Sequence, residues 1–212
     1  MFPTTPPPAQ RLLIFARVPE LGAVKTRLAR ETGDARALEI YNALLRDSLQ
    51  SIGASNESTE VEVMWAPTEV ANAQTLSAAF GDLPLAMQTG NTLGERLAMA
   101  FSERFFFQRT MKIIAVGVDD PTLPRALIDE AFALLDSCEW VVGPAVDGGY
   151  YLIGCRAASF EVEVFDGTEW GTDRVLPETL ARIRKWQGTV AVLPERRDID
   201  VAEDLELVDW KP

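Results

Sequence analysis

The residues of this chain that could do chemistry sit where apolar runs end. The segment "VGVDDPTLP" closes one such run with two adjacent carboxylates, Asp119 and Asp120. Mg²⁺ takes one or two carboxylates together with water and substrate phosphates, so either Asp suits that ion. Successive strand residues point to opposite faces, so the two do not share one ion in regular strand geometry. The structural alternative is an Asp-Pro turn in which one carboxylate caps the next helix. Nearer the start, "IFARVPELGAVKTRLA" brings Arg17, Gly22, Lys25 and Arg27 to a strand-to-helix turn. Backbone N–H groups at a helix start favour an anion, a lysine adds a point charge, and an arginine grips two phosphate oxygens. Taken alone, the two cations Lys25 and Arg27 read as solvated surface charge. Their place at the carboxyl end of the first strand argues for phosphate instead.

Two further segments carry the same ambiguity. In "GPAVDGGYYLIG", Asp147-Gly148-Gly149 is a turn signal. It is also a place where a substrate could approach the backbone while Asp147 takes a hydroxyl or a metal-bound group. In "DIDVAEDL", Asp200 is a natural helix N-cap, and Asp198 or Asp200 could instead complete a metal site. Trp170 would make a wall for a sugar or a base, although an isolated Trp is more often core or interface.

Composition narrows the chemistry. The chain has 212 residues and a net charge of −12. Such a surface repels nucleic acid, and it holds a polyphosphate only with a local cationic pocket, a divalent metal or both. There is no histidine, which removes Ser-His-Asp and Cys-His catalysis and His-based zinc sites. Cys138 and Cys155 form no CxxC and read as two reduced thiols. Neither GxxxxGK[ST] nor GxGxxG occurs, so Lys25 is not a Walker A lysine and there is no dinucleotide fingerprint. Residues 1–10, "MFPTTPPPAQ", read as a Pro-rich extended tail rather than a signal peptide. No apolar segment is long enough to span a bilayer, so a cytoplasmic protein without a membrane partner is expected.

These residues need a scaffold, and the apolar pattern supplies one. Strands are expected at Arg11–Ala16, Val61–Ala66, Lys112–Val118, "WVVGPA", "YYLIGC" and "VAVLP". Helices are expected over Ala35–Ser51, Val70–Ala79, Asn91–Phe107, a segment begun by Pro124, Thr172–Trp186 and Asp200–Val208. Thr92 and Glu95 have the spacing of a capping box. Three consecutive Phe, 105–107, cannot all face one side of a helix, so one belongs to a second core layer or to a homodimer contact. Strand and helix alternate without an internal linker. The expectation is one α/β, Rossmann-like domain over 11–212, with a mainly parallel twisted sheet flanked by helices. Ligands in such sheets sit at the carboxyl ends of the strands.

In order, "FARVPELGAVKTRLA", "QTGNTLGERLAMAF", "GVDDPTLP", "GPAVDGGYYLIG", "EWGTDRVLPETL" and "DIDVAEDL" resemble a bacterial family labelled as glycosyltransferases. It is the DUF2064-type or cofC-like group of the nucleotide-diphospho-sugar transferase superfamily, with the A-type glycosyltransferase fold. The resemblance implies a nucleotide held over the carboxyl edge of the sheet by Arg17, Gly22, Lys25 and Arg27, with Gln88, Gly90 and Arg96 near it. It implies Mg²⁺ (or Mn²⁺) on Asp119 and Asp200, and an acceptor facing Asp147, Gly148 and Gly149. Lys25, Asp119 and Asp147 are then the catalytic candidates. Asp120 stands where the family usually has Cys, and Val201-Ala202 replace a usual Thr-Pro. The reaction implied is transfer from a nucleotide-activated sugar to a small-molecule acceptor. Nucleotidyl transfer with pyrophosphate release and non-catalytic nucleotide binding are the alternatives.

Overall fold

The computed structural model describes residues 9–66 and 84–212. Seven strands form one sheet: β1 Gln10–Ala16, β2 Thr59–Trp65, β3 Leu85–Met87, β4 Lys112–Val116, β5 Trp140–Pro144, β6 Tyr150–Arg156 and β7 Val190–Val192. Their order is β3-β2-β1-β4-β6-β5-β7. All pair in parallel except β6, which runs antiparallel to both β4 and β5. The Asp147-Gly148-Gly149 turn joins β5 to β6 and produces that reversal.

Alternation within β1 and β4 divides the core. Leu12, Ile14, Ile114 and Val116 pack on one face under Tyr41 and Leu45 of α2 (Asp34–Ile52) and Ile128 of α4 (Arg125–Leu134). Leu13, Ile113 and Ala115 pack on the other under Leu97 and Phe101 of α3 (Leu93–Ser102) and Ile183 of α5 (Val175–Lys185). Both faces are therefore covered, which is why these strands read as continuous apolar runs rather than as alternating ones. Among the described residues there are also two short α-helices, α1 (Thr26–Thr32) and α6 (Asp204–Leu207).

Several boundaries differ from expectation. The helix expected over Asn91–Phe107 is α-helical only to Ser102, then widens into a π turn over Glu103–Phe107. The wider turn lets two adjacent residues, Arg104 and Phe105, both point inward. Phe105 joins the second core layer, whereas Phe106 and Phe107 are 71% and 83% exposed. Half of the capping box forms, with Glu95 N donating to Thr92 Oγ1 at 3.2 Å. The Glu95 carboxylate reaches Asn91 N at 2.7 Å. The last helix begins at Asp204 rather than Asp200, and the helix expected from Thr172 begins at Val175. The helix expected at Val70–Ala79 and most of the Pro-rich tail lie outside the described residues.

Candidate functional site

A cavity of about 770 Å³ opens where the parallel strands β1, β2 and β4 end and the reversed β6 begins. Of the twelve site residues that the family resemblance implied, nine line it: Arg17, Lys25, Arg27, Gln88, Arg96, Asp119, Asp147, Gly149 and Asp200. Asp120, Trp170 and Asp198 line it too. Gly22, Gly90 and Gly148 are not in its wall.

Lys25 is the centre of the arrangement. It precedes α1 in a left-handed backbone conformation, φ 47°, and its side chain is only 4% exposed. Its Nζ lies 2.7 Å from Asp119 Oδ1 and 2.9 Å from Asp200 Oδ1, although 94 and 175 positions separate these two residues from Lys25 along the chain. Burial disfavours the ammonium, but the two carboxylates outweigh it and hold Lys25 above the ordinary lysine range. Arg27 stands nearby with most of its side chain in solvent, its guanidinium 3.9 Å from Asp200 Oδ2.

Asp119 and Asp120 point apart, both beyond the end of β4 at Val116. The Asp119 carboxylate is 40% exposed and faces Lys25. Asp120 is buried, accepts from Thr122 N at 2.9 Å and Thr122 Oγ1 at 2.7 Å, and is paired with the Arg196 guanidinium. Asp120 therefore anchors the chain after β7 and leaves the open chemistry to its neighbour. Ile199 N donates to the Asp119 carbonyl at 2.9 Å, which carries the "DID" segment under the site.

Asp200 is not the helix cap its sequence suggests. Its carboxylate goes to Lys25, while Asp204 Oδ2 accepts from Asp200 N at 2.9 Å and Val201 N at 3.0 Å. Asp198 also lines the cavity. Burial pushes its carboxyl well above the ordinary aspartate range. The Asp119 charge, then those of Asp200 and Asp147, push the same way, and Lys25 offsets part of this. The nook thus holds more carboxylate than its cations balance.

Two residues have positioning roles that the sequence did not reveal. The Tyr41 hydroxyl donates to Arg17 O at 2.9 Å and accepts from Arg17 N at 2.8 Å, fixing the chain as it leaves β1. In the sequence Tyr41 is indistinguishable from the other core positions of the α2 stripe. Gln88, buried at the end of β3, donates from Nε2 to Met64 O at 2.7 Å and Ala16 O at 3.3 Å, tying β1 to β2. Arg96 reaches back from α3 to Gly90 O at 3.0 Å. Asp147 Oδ1 accepts from Gly149 N at 2.9 Å and shapes its own turn.

The strand order with β6 reversed, and a cavity along the carboxyl edge of the parallel strands, define the class: an α/β protein with the nucleotide-diphospho-sugar transferase fold. The chain belongs to the family described as "Uncharacterized protein conserved in bacteria (DUF2064)", whose profile matches residues 50–172. A crystal structure from Desulfovibrio desulfuricans G20, named a "putative nucleotide-diphospho-sugar transferase", is 32% identical and has a TM-score of 0.86. That match covers 92% of this chain and 83% of that one. The 4-diphosphocytidyl-2C-methyl-D-erythritol synthase of Anaerococcus prevotii DSM 20548 shares the fold at 11% identity and TM-score 0.61, with 94% of each chain covered. The inositol-1-phosphate CTP transferase of T. maritima does so at 13% identity and TM-score 0.55, covering 93% of this chain and 91% of that one. No curated protein sequence matches this chain.

Proposed function

We propose that the protein is a Mg²⁺-dependent transferase that moves a sugar from a nucleotide diphosphate donor to a small-molecule acceptor. The observation that carries this reading is the meeting of Lys25, Asp119 and Asp200 in one cavity, with the cations of Arg17 and Arg27 beside them. An acidic protein retains a diphosphate only at such a place. The relative from Desulfovibrio desulfuricans bears the corresponding name.

The donor set suits the ion. Among the described residues no three acidic, Cys or His side chains form a metal cage. Mg²⁺ asks for less, one or two carboxylates with the rest supplied by water and phosphate. Asp119 and Asp200 would hold it: each lines the cavity and contacts Lys25 through Oδ1, and the second oxygen of Asp200 lies 3.9 Å from the Arg27 guanidinium. Mn²⁺ accepts the same oxygens. When bound, the ion would offset charge on the departing diphosphate. In the transfer itself, the acceptor hydroxyl oxygen bonds to the anomeric carbon and the bond from that carbon to the phosphate oxygen breaks. The electron pair leaves with the nucleoside diphosphate, and the hydroxyl proton passes to the Asp147 carboxylate. Lys25 and Arg27 orient the diphosphate and stabilise its charge.

A second reading is nucleotidyl transfer with release of pyrophosphate. The three cations along the β1 and β3 side of the cavity, Arg17, Arg27 and Arg96, favour it, since they match the larger charge of a triphosphate. Incubation with Mg²⁺, nucleoside triphosphates, nucleotide-sugars and an acceptor panel separates the two. Nucleoside diphosphate release supports the first reading, and pyrophosphate release with a sugar phosphate replaces it by the second. Asp119→Asn should remove the metal dependence of nucleotide binding, and its persistence would take Asp119 out of the site. Two free thiols, Cys138 and Cys155, suit a reducing, cytoplasmic setting. Among the described residues no helix is long and apolar enough to cross a membrane.

A further inference from the structure

The cavity is divided by charge. Arg17 and Arg27 follow β1, Arg96 stands just beyond β3, and Lys25 is already held by Asp119 and Asp200. The remaining wall, built by the β5–β6 turn and the loop before α5, presents Asp147, Gly149, Tyr150, Trp170, Gly171 and Thr172. No cation from that turn or that loop lines the cavity. The guanidinium of Arg174 is taken by Glu178 at 2.8 Å and Glu169 at 3.5 Å, and that of Arg182 by Thr168 at 2.9 Å and Glu178 at 3.4 Å.

Trp170 is built into this wall. Its indole packs on the first turn of α3, where an added Cβ at Gly94 would lie 3.0 Å from Trp170 Nε1 and 2.3 Å from Phe165 O. Its ring meets Tyr150 edge-to-face, with centroids 6.1 Å apart. The loop is held at its other end by Gly148, φ 89°, where an added Cβ would come within 2.4 Å of Asp173 Cα. Leu176 N donates to Gly148 O at 3.0 Å, so the turn carbonyl also fastens the start of α5. Gly148, outside the cavity wall, thus serves to bring Trp170 to it.

We infer that the acceptor half of the cavity receives a neutral, polyhydroxylated ring, a sugar or cyclic polyol packed against Trp170, and not a phosphorylated one. This rests on the transferase reading above and deepens it. The apolar C–H face of such a ring matches an indole, and its hydroxyls match the Asp147 carboxylate. A phosphate dianion at this wall would meet the Asp147 carboxylate and no cation from the turn or the loop. The same division separates the two reactions, because a sugar phosphate is the nucleophile of nucleotidyl transfer.

The test is saturation-transfer NMR on the full chain, with glucose, mannose and myo-inositol compared with glucose 1-phosphate and inositol 1-phosphate. Mg²⁺ and a nucleoside diphosphate are present throughout, and nucleotide affinity is measured separately by calorimetry. At least one neutral ring should show contact, the matching phosphate should bind at least tenfold more weakly, and Trp170→Ala should remove most of the ring contact. Trp170→Phe should restore part of it, and both variants should keep the wild-type nucleotide affinity. Tighter binding of the phosphate, or ring contact unchanged in Trp170→Ala, overturns the inference. Nucleotide binding with no ring contact also overturns it and spares the transferase reading. Ring contact at Trp170 without nucleotide binding does the reverse.

Discussion

Two buried cations lie at opposite ends of β1, and they are used differently. At the amino end, Arg104 is 1% exposed and grips Glu62 with two bonds, at 2.6 and 2.9 Å. Arg11 adds a contact to the same Glu62 at 3.2 Å and one to Glu60 at 2.8 Å. Glu62 is itself largely covered, and each guanidinium has its carboxylate. At the carboxyl end, Lys25 is almost as deeply buried, yet Asp119 and Asp200 are each more than a third exposed and Asp198 adds a further acid. Burial of a charge therefore does not mark a site. What sets the second centre apart is surplus negative charge together with access from a cavity.

The sharpest way to break this contrast is to delete each cation in turn. Arg104→Met leaves Glu62 buried with only Arg11 for company, and loss of one partner of a buried pair costs about 3–5 kcal/mol. Urea denaturation should show that loss, and adding Glu62→Leu should recover most of it, while nucleotide affinity of the folded protein stays unchanged. Lys25→Met should behave in the opposite sense. The nearby carboxylates are partly solvated, so stability falls less, but nucleotide binding should weaken by about 1.5–3 kcal/mol as a charge-assisted contact disappears. Mg²⁺ alone should then raise the melting temperature of Lys25→Met more than that of the wild type. Unchanged nucleotide affinity would make Lys25 a structural cation of the same kind as Arg104.

The sequence made some of this legible and hid the rest. β1 and β4 could be read because strands covered on both faces leave continuous apolar runs, and α3 because Thr92 and Glu95 are local partners. The strand period predicts that Asp119 and Asp120 diverge, but they stand beyond the end of β4, where pairing with Arg196 and Thr122 turns Asp120 away from its neighbour. Neither the strand order nor the partner of Asp120 could be read, since Arg196 lies 76 residues away and only the folded sheet joins them. The left-handed conformation of Lys25 has no residue-type signature, so nothing in the sequence showed that its side chain is buried between two carboxylates. Asp200 stayed ambiguous because a cap and a cavity ligand look alike in one dimension, and in the structure the neighbouring Asp204 does the local hydrogen bonding.

Asp204 combines the two kinds of centre and gives the smallest expected effect. Its burial favours the neutral acid, but the amides of Asp200 and Val201 and the Arg197 guanidinium at 3.1 Å outweigh that and draw its carboxyl below the ordinary range. Like Glu62 it is a structural acceptor, yet what it holds is the turn that presents Asp198 and Asp200. Asp204→Ala should cost about 1–2 kcal/mol at pH 7. A depressed folded-state pKa contributes stability that is complete above the unfolded value, about 3.9 for an aspartate, and is lost as pH falls through the lower, folded one. The stability difference between wild type and Asp204→Ala should therefore stay level from pH 7 to about 4 and shrink only below that. Chemical denaturation across this range measures it. A difference that shrank well above pH 4 would mean that Asp204 contributes through something other than its ionised carboxylate.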